Sequence, residues 1–297
     1  MKPKLILTVT CIVVILFSAP LWAADAPAKE GEAQSESMTE ISKGLSNPVS
    51  SFWSLTFQQN NFMLDMGPGE SRWNSNLVFQ PVLPVALTDD WNLITRPVLT
   101  LFNSVPYPDR HDPGDFDRTT AFGDTVLLEL LSPSPKIAGN WLLGLGPTFI
   151  FPTASSKYTG QDKWQVGPAA LVGYLSKKWI LGALFQNWQS FGGSGSRDTN
   201  QMNLQPIAAY FLPNGWSIGY SGNVLANWKA DRDGDTWTVP LGLAISKVQK
   251  FGKLPVKLQL GGQYMVHHPD IGGQKWNIQL TVTPVIPKLI KGNLFAE

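Results

Sequence analysis

Two short stretches combine histidine with aspartate, the residue types that bind divalent cations through imidazole nitrogen and carboxylate oxygen. The first stretch has His111 among four aspartates, which are Asp109, Asp112, Asp115 and Asp117. The second has His267 and His268 close to Asp270. Clustered aspartates with few apolar neighbours are also typical of a solvated external loop, and we favour that interpretation over a metal site.

A third acidic stretch half-resembles a calcium-binding loop. Asp231, Asp233 and Asp235 alternate along the chain around Gly234. A calcium loop of the EF-hand type needs a bidentate glutamate six residues after its glycine, and Pro240 occupies that position here. The sequence therefore predicts neither a metal nor a cofactor.

Cysteine and net charge exclude several other kinds of chemistry. The single cysteine, Cys11, lies in an apolar run near the start of the chain. Without Lys2 and Lys4 in that segment, 21 basic residues would face 22 acidic ones, a net charge of about −1. We therefore expect no disulfide, no thiolate nucleophile and no nucleic-acid partner.

The beginning of the chain has the pattern of an export signal. Lys2 and Lys4 precede an apolar run, and small residues around Ala23 provide a cleavage site. We predict a signal peptide over residues 1–23, a periplasmic polar tail or short helix over 24–48, and a membrane domain over 49–297. An uncleaved anchor is the alternative, but the apolar run is short for that role.

The composition favours a sheet protein with one face in lipid. Hydrophobic residues make up 43% of the chain and charged residues only 15%, with 12 tryptophans and 27 glycines. The mean hydropathy is close to zero, which excludes a bundle of transmembrane helices. An outer-membrane β-barrel fits both observations.

Strict alternation of apolar and polar residues begins near Ser51. In 275–286, for example, Trp276, Ile278 and Leu280 alternate with Asn277 and Gln279. Such alternation predicts strands with one apolar and one polar face. About 12 antiparallel strands are predicted, at 51–63, 73–87, 91–103, 122–132, 140–151, 164–176, 179–190, 200–212, 215–228, 236–249, 255–267 and 275–287.

The predicted connections alternate between short and long. Residues 88–90, 177–178 and 213–214 make short turns, whereas 104–121 and 152–163 make long connections. Short periplasmic turns opposite longer extracellular loops are typical of outer-membrane barrels. An even number of strands places both ends of the barrel on the short-turn, periplasmic side.

Tryptophans cluster where the predicted strands meet these connections. Four follow short turns and four follow long loops, and we predict that they form two interface girdles in contact with outer-membrane lipid. They are Trp91, Trp141, Trp179 and Trp216 on the short-turn side, and Trp73, Trp164, Trp237 and Trp276 on the long-loop side.

The polar face of the strands predicts a channel lumen lined mainly by amides. The predicted lining residues are Asn74, Asn76, Gln80, Arg96, Glu129, Gln165, Gln205, Lys257, Gln259, Gln263, Asn277 and Gln279. The charged members Arg96, Glu129 and Lys257 are candidates for a constriction. The alternative is that they pair with one another and fill a closed interior, because 12 strands leave a narrow lumen.

Prolines within the predicted strands argue against regular pairing, because proline donates no hydrogen bond to a neighbouring strand. Each should therefore mark a bulge or a local break. The prolines are Pro81, Pro84, Pro97, Pro147, Pro168, Pro206, Pro240 and Pro284.

An ordered series of short sequence strings resembles a known family. The strings lie at 47–50, 57–60, 80–84, 90–96, 122–124, 144–147, 151–154 and 237–240, within a region of about 46–287. Together they resemble bacterial outer-membrane proteins classed as transporters of the MetA pathway of phenol degradation, many of them mislabelled neuromedin U. The resemblance implies a β-barrel and transport, with no catalytic residues to carry over.

These patterns lead to three hypotheses. The first is an outer-membrane channel or transporter for passive uptake of a small-molecule solute, possible solutes being aromatic or hydrophobic. The second is a closed structural or surface-interaction barrel. The third is an outer-membrane phospholipase, which would need a paired serine and histidine, and no such pair is evident. We expect no enzyme activity, and export implies the barrel-assembly machinery as a partner.

Overall fold

The computed structural model describes residues 28–109, 115–290 and 292–295, with side chains from residue 37 onward. The predicted signal peptide, residues 1–23, lies outside the described residues. So do His111 and Asp112 of the first acidic stretch.

The described chain forms one closed, antiparallel barrel of 12 strands, as the alternation predicted. Two barrel strands are interrupted, so the described residues form 14 strand segments. The segments are β1 (Trp53–Gly67), β2 (Glu70–Ala86), β3 (Trp91–Pro108), β4 (Phe116–Phe122), β5 (Thr125–Pro133), β6 (Trp141–Phe151), β7 (Trp164–Leu175), β8 (Trp179–Gly192), β9 (Asn200–Phe211), β10 (Trp216–Tyr220), β11 (Val224–Asn227), β12 (Trp237–Phe251), β13 (Leu254–His267) and β14 (Gln274–Ile286).

Pairing of neighbours around the ring closes the barrel. β1 pairs with β14, and β12 pairs with β13 and, on its other side, with both β10 and β11. β4 and β5 both pair with β3 and together make one barrel strand, interrupted at Gly123 and Asp124. β10 and β11 both pair with β9 and are interrupted at residues 221–223.

Among the described residues, the helical segments lie outside the barrel wall. Helix α1 spans Ala28–Ser46, helix α2 spans Pro135–Ala138, and 3₁₀ turns lie at Pro213–Gly215 and Asp233–Asp235. Within the described residues, no helix is long and apolar enough to cross a membrane.

Two predicted loops are largely strand. Residues 64–72 continue β1 and β2 to a tight turn at Pro68, flanked by Gly67 and Gly69 with φ of +112° and +79°. Residues 104–108 and 116–121 extend β3 and β4 into a long hairpin. The polar composition that suggested loops reflects strands that continue beyond the apolar band into water.

Seven of the eight prolines lie at a register shift or at a gap in one of their two ladders, and Pro84 is the exception. Of the eight, only Pro240 lies at a register shift. Pro147 keeps its pairing with β7, while the pairing of β6 with β5 is interrupted beside it. A strand inside a barrel has two neighbours, so the missing proline donor weakens one ladder and leaves the other intact. Pro206 faces the interruption between β10 and β11, and Pro284 lies at a gap in the pairing of β14 with β1. The expectation of a bulge or break was therefore wrong only for Pro84, which lies within continuous pairing with β3.

An apolar cluster fills part of the barrel interior. It lies on the inner face of strands β3 and β5–β9 and packs around Val49, which follows α1. Its members include Ile94, Leu128, Leu130, Leu142, Leu171, Ile180, Leu184 and Phe211. The hydrophobic core of this chain is thus one side of the lumen rather than a separate layer.

Candidate functional site

The outer surface of the barrel is apolar along the middle of its strands. Leu145, Leu241 and Leu243 are 67%, 64% and 69% exposed. They alternate with inward-facing neighbours such as Gly144 and Ala244, as strand geometry requires. A continuous apolar exterior of this kind is stable only when lipid covers it.

Tryptophans lie outward at both ends of this apolar surface. At the long-loop rim, the rings of Trp73 and Trp276 meet edge to face at 4.8 Å, and Trp164 meets Phe151 at 5.7 Å. At the short-turn rim, Trp141 packs against Tyr174 at 5.3 Å. The other predicted girdle residues open their strands at the same two rims, namely Trp91, Trp179, Trp216 and Trp237.

Inside the barrel, amide side chains form a hydrogen-bond network centred on Asn60. The Asn60 side-chain oxygen accepts hydrogen bonds from Gln58, Asn277 and Gln279, at 3.1, 3.2 and 3.2 Å. Its amide nitrogen donates to Asn76 Oδ1 at 2.8 Å. Asn60 lies on β1. It was not among the predicted lining residues, although a strand over 51–63 was predicted.

Two chambers follow one another along the lumen. The helix-side chamber, next to α1, has a volume of about 250 Å³, and the loop-side chamber a volume of about 420 Å³. Six polar residues line both chambers, and we call them the waist. They are Gln58, Gln80, Arg96, Gln205, Tyr220 and Gln259.

Hydrogen bonds connect members of the waist. Arg96 Nη1 donates to Gln205 Oε1 at 3.4 Å, and Gln80 Nε2 donates to Gln58 Oε1 at 3.3 Å. The amides and the guanidinium of the waist can form hydrogen bonds with a polar ligand.

Most of the predicted lining residues do face these chambers. The waist contains Gln80, Arg96, Gln205 and Gln259, and the loop-side chamber adds Asn76, Gln263, Asn277 and Gln279. Lys257 lines the helix-side chamber. Asn74 and Gln165 are 5% and 1% exposed and line neither chamber. Gln165 is held instead by Gln161 and Gln201.

Glu129 does not face the lumen, contrary to the prediction. Its neighbours Leu128 and Leu130 are 2% and 1% exposed and line the helix-side chamber, so Glu129 lies on the outer face. There its Oε2 accepts a 2.7 Å hydrogen bond from Thr95 Oγ1. The physical reason is that this part of the interior is apolar. Leu128 and Leu130 pack in its apolar cluster, and strand alternation then places Glu129 on the opposite face.

The two sides of the lumen differ in chemistry. Strands β1, β2, β13 and β14 contribute amides and hydroxyls, whereas β3 and β5–β9 contribute mainly the apolar cluster. Sequence reasoning missed this second side because strands such as β6 have apolar residues on both faces. The available signal was the dense leucine and isoleucine content of 127–150 and 166–184.

Helix α1 lies at the short-turn mouth of the lumen. Thr39 Oγ1 donates to Leu212 O at 3.3 Å and accepts from the Gly215 N–H at 3.4 Å. Met38 is 7% exposed and packs against Gly215, where a side-chain Cβ would lie 3.0 Å from Met38 Cβ. At the other end of the helix, Ser46 Oγ accepts a 2.9 Å hydrogen bond from Lys257 Nζ.

The interruption between β10 and β11 bends the wall into the lumen. Ser221 Oγ lies over the inner face of β12 and forms hydrogen bonds with the next two strands. It accepts a 3.0 Å bond from Gln263 Nε2 on β13 and donates a 3.3 Å bond to Gln279 Oε1 on β14. Gly242 allows this bend, because a Cβ there would lie 1.9 Å from Ser221 O. The bend brings Tyr220, Ser221 and Asn223 to the loop-side chamber.

Arginine neutralises the acidic stretches at the long-loop rim. Asp231 pairs with Arg197 at 2.8 Å, and Arg232 pairs with both Asp235 and Asp270 at 2.7 and 3.3 Å. Hydrogen bonding by the Asp270 backbone N–H, together with Arg232, lowers the pKa of Asp235. Within the described residues, no group of three potential metal ligands comes together.

The described histidines do not form a catalytic pair with serine. His268 Nδ1 contacts Pro269 O at 2.9 Å, and neither His267 nor His268 hydrogen-bonds a serine within the described part of the chain. A serine nucleophile needs a base within hydrogen-bond reach. In the described structure, the histidines of the second stretch therefore do not activate a serine hydroxyl.

A closed barrel with an apolar exterior, two aromatic bands and a polar-lined lumen defines a transmembrane β-barrel of the outer-membrane type. Neither a protein-family model nor a curated protein matches the sequence.

One solved structure has the same class of fold. The chain is similar to the COG4313 outer membrane channel from Pseudomonas putida F1, with 16% identity and a TM-score of 0.54, over 79% of this chain and 96% of that one. Weaker similarity links it to the CymD monoaromatic hydrocarbon channel, with 10% identity and a TM-score of 0.38 over 90% and 98% of the two chains. A Pseudomonas aeruginosa FadL homologue shares 12% identity and a TM-score of 0.33 over 80% and 92%. At 16% identity, the likeness to the COG4313 channel concerns the fold alone.

Proposed function

We propose that this protein is an outer-membrane channel for the passive uptake of small solutes. The observation that carries the proposal is the pair of chambers joined through the polar waist inside a lipid-facing barrel. The chambers lie along the lumen, so a solute could move from one to the other by exchanging hydrogen bonds with waist amides.

The finer family assignment is part of this proposal. Membership among the MetA-pathway transporters is supported by the ordered strings between residues 46 and 287, and it suggests aromatic or hydrophobic solutes. The apolar side of the lumen favours solutes of that kind. Export by a cleaved signal peptide and insertion by the barrel-assembly machinery complete the proposed route to the outer membrane.

A closed barrel is the second candidate, and helix α1 favours it. The helix lies in the short-turn mouth and is attached there through Thr39, Met38 and Ser46. In that case the long β3–β4 hairpin and the other loops would be the functional surface.

Conductance across a planar bilayer separates the two candidates. The refolded chain from residue 24 onward is compared with a variant that lacks residues 28–46. The channel proposal expects current from the intact chain and a larger current from the variant. Glu40→Gln, on an exposed part of α1, is the control and should leave the current unchanged. If both chains fold, as heat-modifiable migration reports, and neither passes current or small solutes, the channel proposal is wrong.

A further inference from the structure

Two cationic side chains line the helix-side chamber without a carboxylate to neutralise them. Arg96 projects from β3 and Lys257 from β13, and both line this chamber. Among the described residues that line it, none is aspartate or glutamate. The same holds for the loop-side chamber, where Arg96 is the only charged lining residue among those described.

The hydrogen bonds of these two cations are incomplete. Arg96 donates one long bond to Gln205, while its Nε is buried without a hydrogen-bond partner in the described structure. Lys257 donates to the Ser46 hydroxyl, and neither cation forms an ion pair within the described part of the chain. An enclosed cation with only neutral partners is costly, and an anionic ligand would lower that cost.

Three acidic side chains, on β1, β5 and α1, are directed away from this chamber. Glu129 lies on the outer face with Thr95, and Asp65 pairs with Lys275 at 3.0 Å near the long-loop rim. Glu40 on α1 pairs with Lys43. The helix-side chamber therefore keeps a positive field, and arginine or lysine in a pore is the arrangement that favours anions.

The wall formed by β3, β5 and β8 is apolar. Ile94, Leu128, Leu130 and Ile180 line the chamber and belong to the apolar cluster. The chamber volume is about 250 Å³, and a dry cavity of about 150 Å³ is enough to hold benzene. A single aromatic ring with one acidic substituent therefore matches both the size and the two-sided chemistry of the chamber.

We propose that the helix-side chamber is a binding site for small organic monocarboxylates with an apolar ring or short chain. The carboxylate lies between Arg96 and Lys257, because the planar guanidinium can donate two parallel hydrogen bonds to it. The apolar part lies against Ile94, Leu128 and Ile180. This inference rests on the proposed function and narrows its solutes from small molecules in general to organic anions.

Equilibrium binding to the detergent-folded chain tests the proposal, with benzoate and its neutral isostere benzamide as probes in isothermal titration calorimetry. We expect benzoate to bind at least about tenfold more tightly than benzamide. Arg96→Gln should weaken benzoate binding by about tenfold or more and leave benzamide unchanged, with a smaller loss for Arg96→Lys. Lys257→Gln should also act on benzoate alone.

Matched controls remove a lysine at each rim. Lys178→Gln, in a short turn, and Lys229→Gln, in a long loop, change the net charge equally and should not affect benzoate binding. Equal affinity for benzoate and benzamide overturns the proposal. So does benzoate binding that survives both Arg96→Gln and Lys257→Gln. If Arg96→Gln loses heat-modifiable migration, Arg96→Lys and Lys257→Gln decide the matter.

Current measurements keep this inference separate from the channel proposal. A folded protein that binds benzoate through Arg96 but passes no current supports the site and contradicts the channel. A protein that conducts but has the same reversal potential in a potassium benzoate gradient as its Arg96→Gln, Lys257→Gln double variant supports the channel and contradicts the site.

Discussion

Lys257 Nζ on β13 donates a 2.9 Å hydrogen bond to Ser46 Oγ at the end of α1. This contact joins the barrel wall to the helix in its mouth. Ser46 Oγ also donates to Ser42 O at 2.9 Å, so one hydroxyl connects the last turn of the helix to the wall.

Ser46→Ala should release α1 from the mouth more readily. The substitution leaves the lysine without its partner on the helix, which costs about 1–3 kcal/mol. Hydrogen exchange of the amides in residues 37–46 should become faster. Ser51→Ala, at an exposed position, is the control and should leave those amides unchanged. Unaltered exchange in Ser46→Ala would show that the contact does not hold the helix.

Asn60→Ala should destabilise the barrel by about 2–4 kcal/mol. The side chain takes part in four hydrogen bonds in the lumen and is only 7% exposed, so its loss leaves several amides unsatisfied. Urea unfolding from lipid vesicles measures the change. Asn103→Ala removes a similar amide from an exposed site, with one bond to Gln59, and should cost no more than about 0.5 kcal/mol.

Glu129→Leu should stabilise the barrel in a membrane, because the carboxylate lies on the lipid-facing surface. The gain is about 1–3 kcal/mol, and it should disappear in a detergent that hydrates the surface. Thr95→Val removes the hydroxyl that donates to Glu129 and should destabilise the wild type, yet have little effect beside Glu129→Leu. A double-mutant cycle of unfolding free energies gives the coupling, and additive effects would contradict the observed pairing.

Gly242→Ala should destabilise the barrel by about 2–4 kcal/mol, because its Cβ would lie 1.9 Å from Ser221 O. The bend at 221–223 would have to move out of the lumen. Gly262→Ala on the neighbouring strand is the matched control, since no atom lies within 4 Å of a Cβ there. Equal unfolding free energies for the two variants would argue against a close approach at Gly242.

Acid should loosen the loop at 193–199 through Asp198. A hydrogen bond from Lys163 Nζ, 3.1 Å away, and the positive charge of that lysine lower the pKa of Asp198. A lowered pKa in the folded state means that the pair stabilises the loop above the ordinary aspartate pKa of about 4 and that this contribution is lost as pH falls through the lowered value.

The measurement for Asp198 is hydrogen exchange of residues 193–199 at pH 6 and at pH 2.5, corrected for intrinsic rates. Protection should fall at the lower pH in the wild type. Asp198→Asn should show low protection at both values. Asp233→Asn serves as control, because Asp233 forms no ion pair within the described part of the chain. A wild type with the same protection at both values would contradict the assignment.

The barrel could be predicted because strand geometry places successive side chains on opposite faces, so that apolar and polar residues alternate along the sequence. Residues such as Trp276, Ile278 and Leu280 must face lipid, and each tight turn reverses the chain, so strand number follows from alternation and spacing. The long β3–β4 hairpin was missed because strands that continue into water lose the apolar half of the pattern. A polar strand and a polar loop then have the same composition.

The lumen was predicted on one side and missed on the other. Where the lipid-facing residues of a strand are apolar and the lumen-facing residues are polar, as at Asn277 and Gln279, polarity identifies the inner face. Around Leu128, Glu129 and Leu130 both faces are apolar, and a single charged residue suggested the wrong one. The packing of Val49 against that inner face depends on distant parts of the chain, which local patterns do not contain.

The contrast between the two lumen walls has a consequence for anything that travels through. Under the proposed function, an amphiphilic molecule keeps its apolar side toward β5–β8 and its polar side toward β1 and β14. It therefore cannot rotate freely inside the lumen. Its rotation about the barrel axis is fixed by the protein. Mirror-image forms of a chiral solute would then present different groups to the same wall, and the passage would discriminate handedness as well as size.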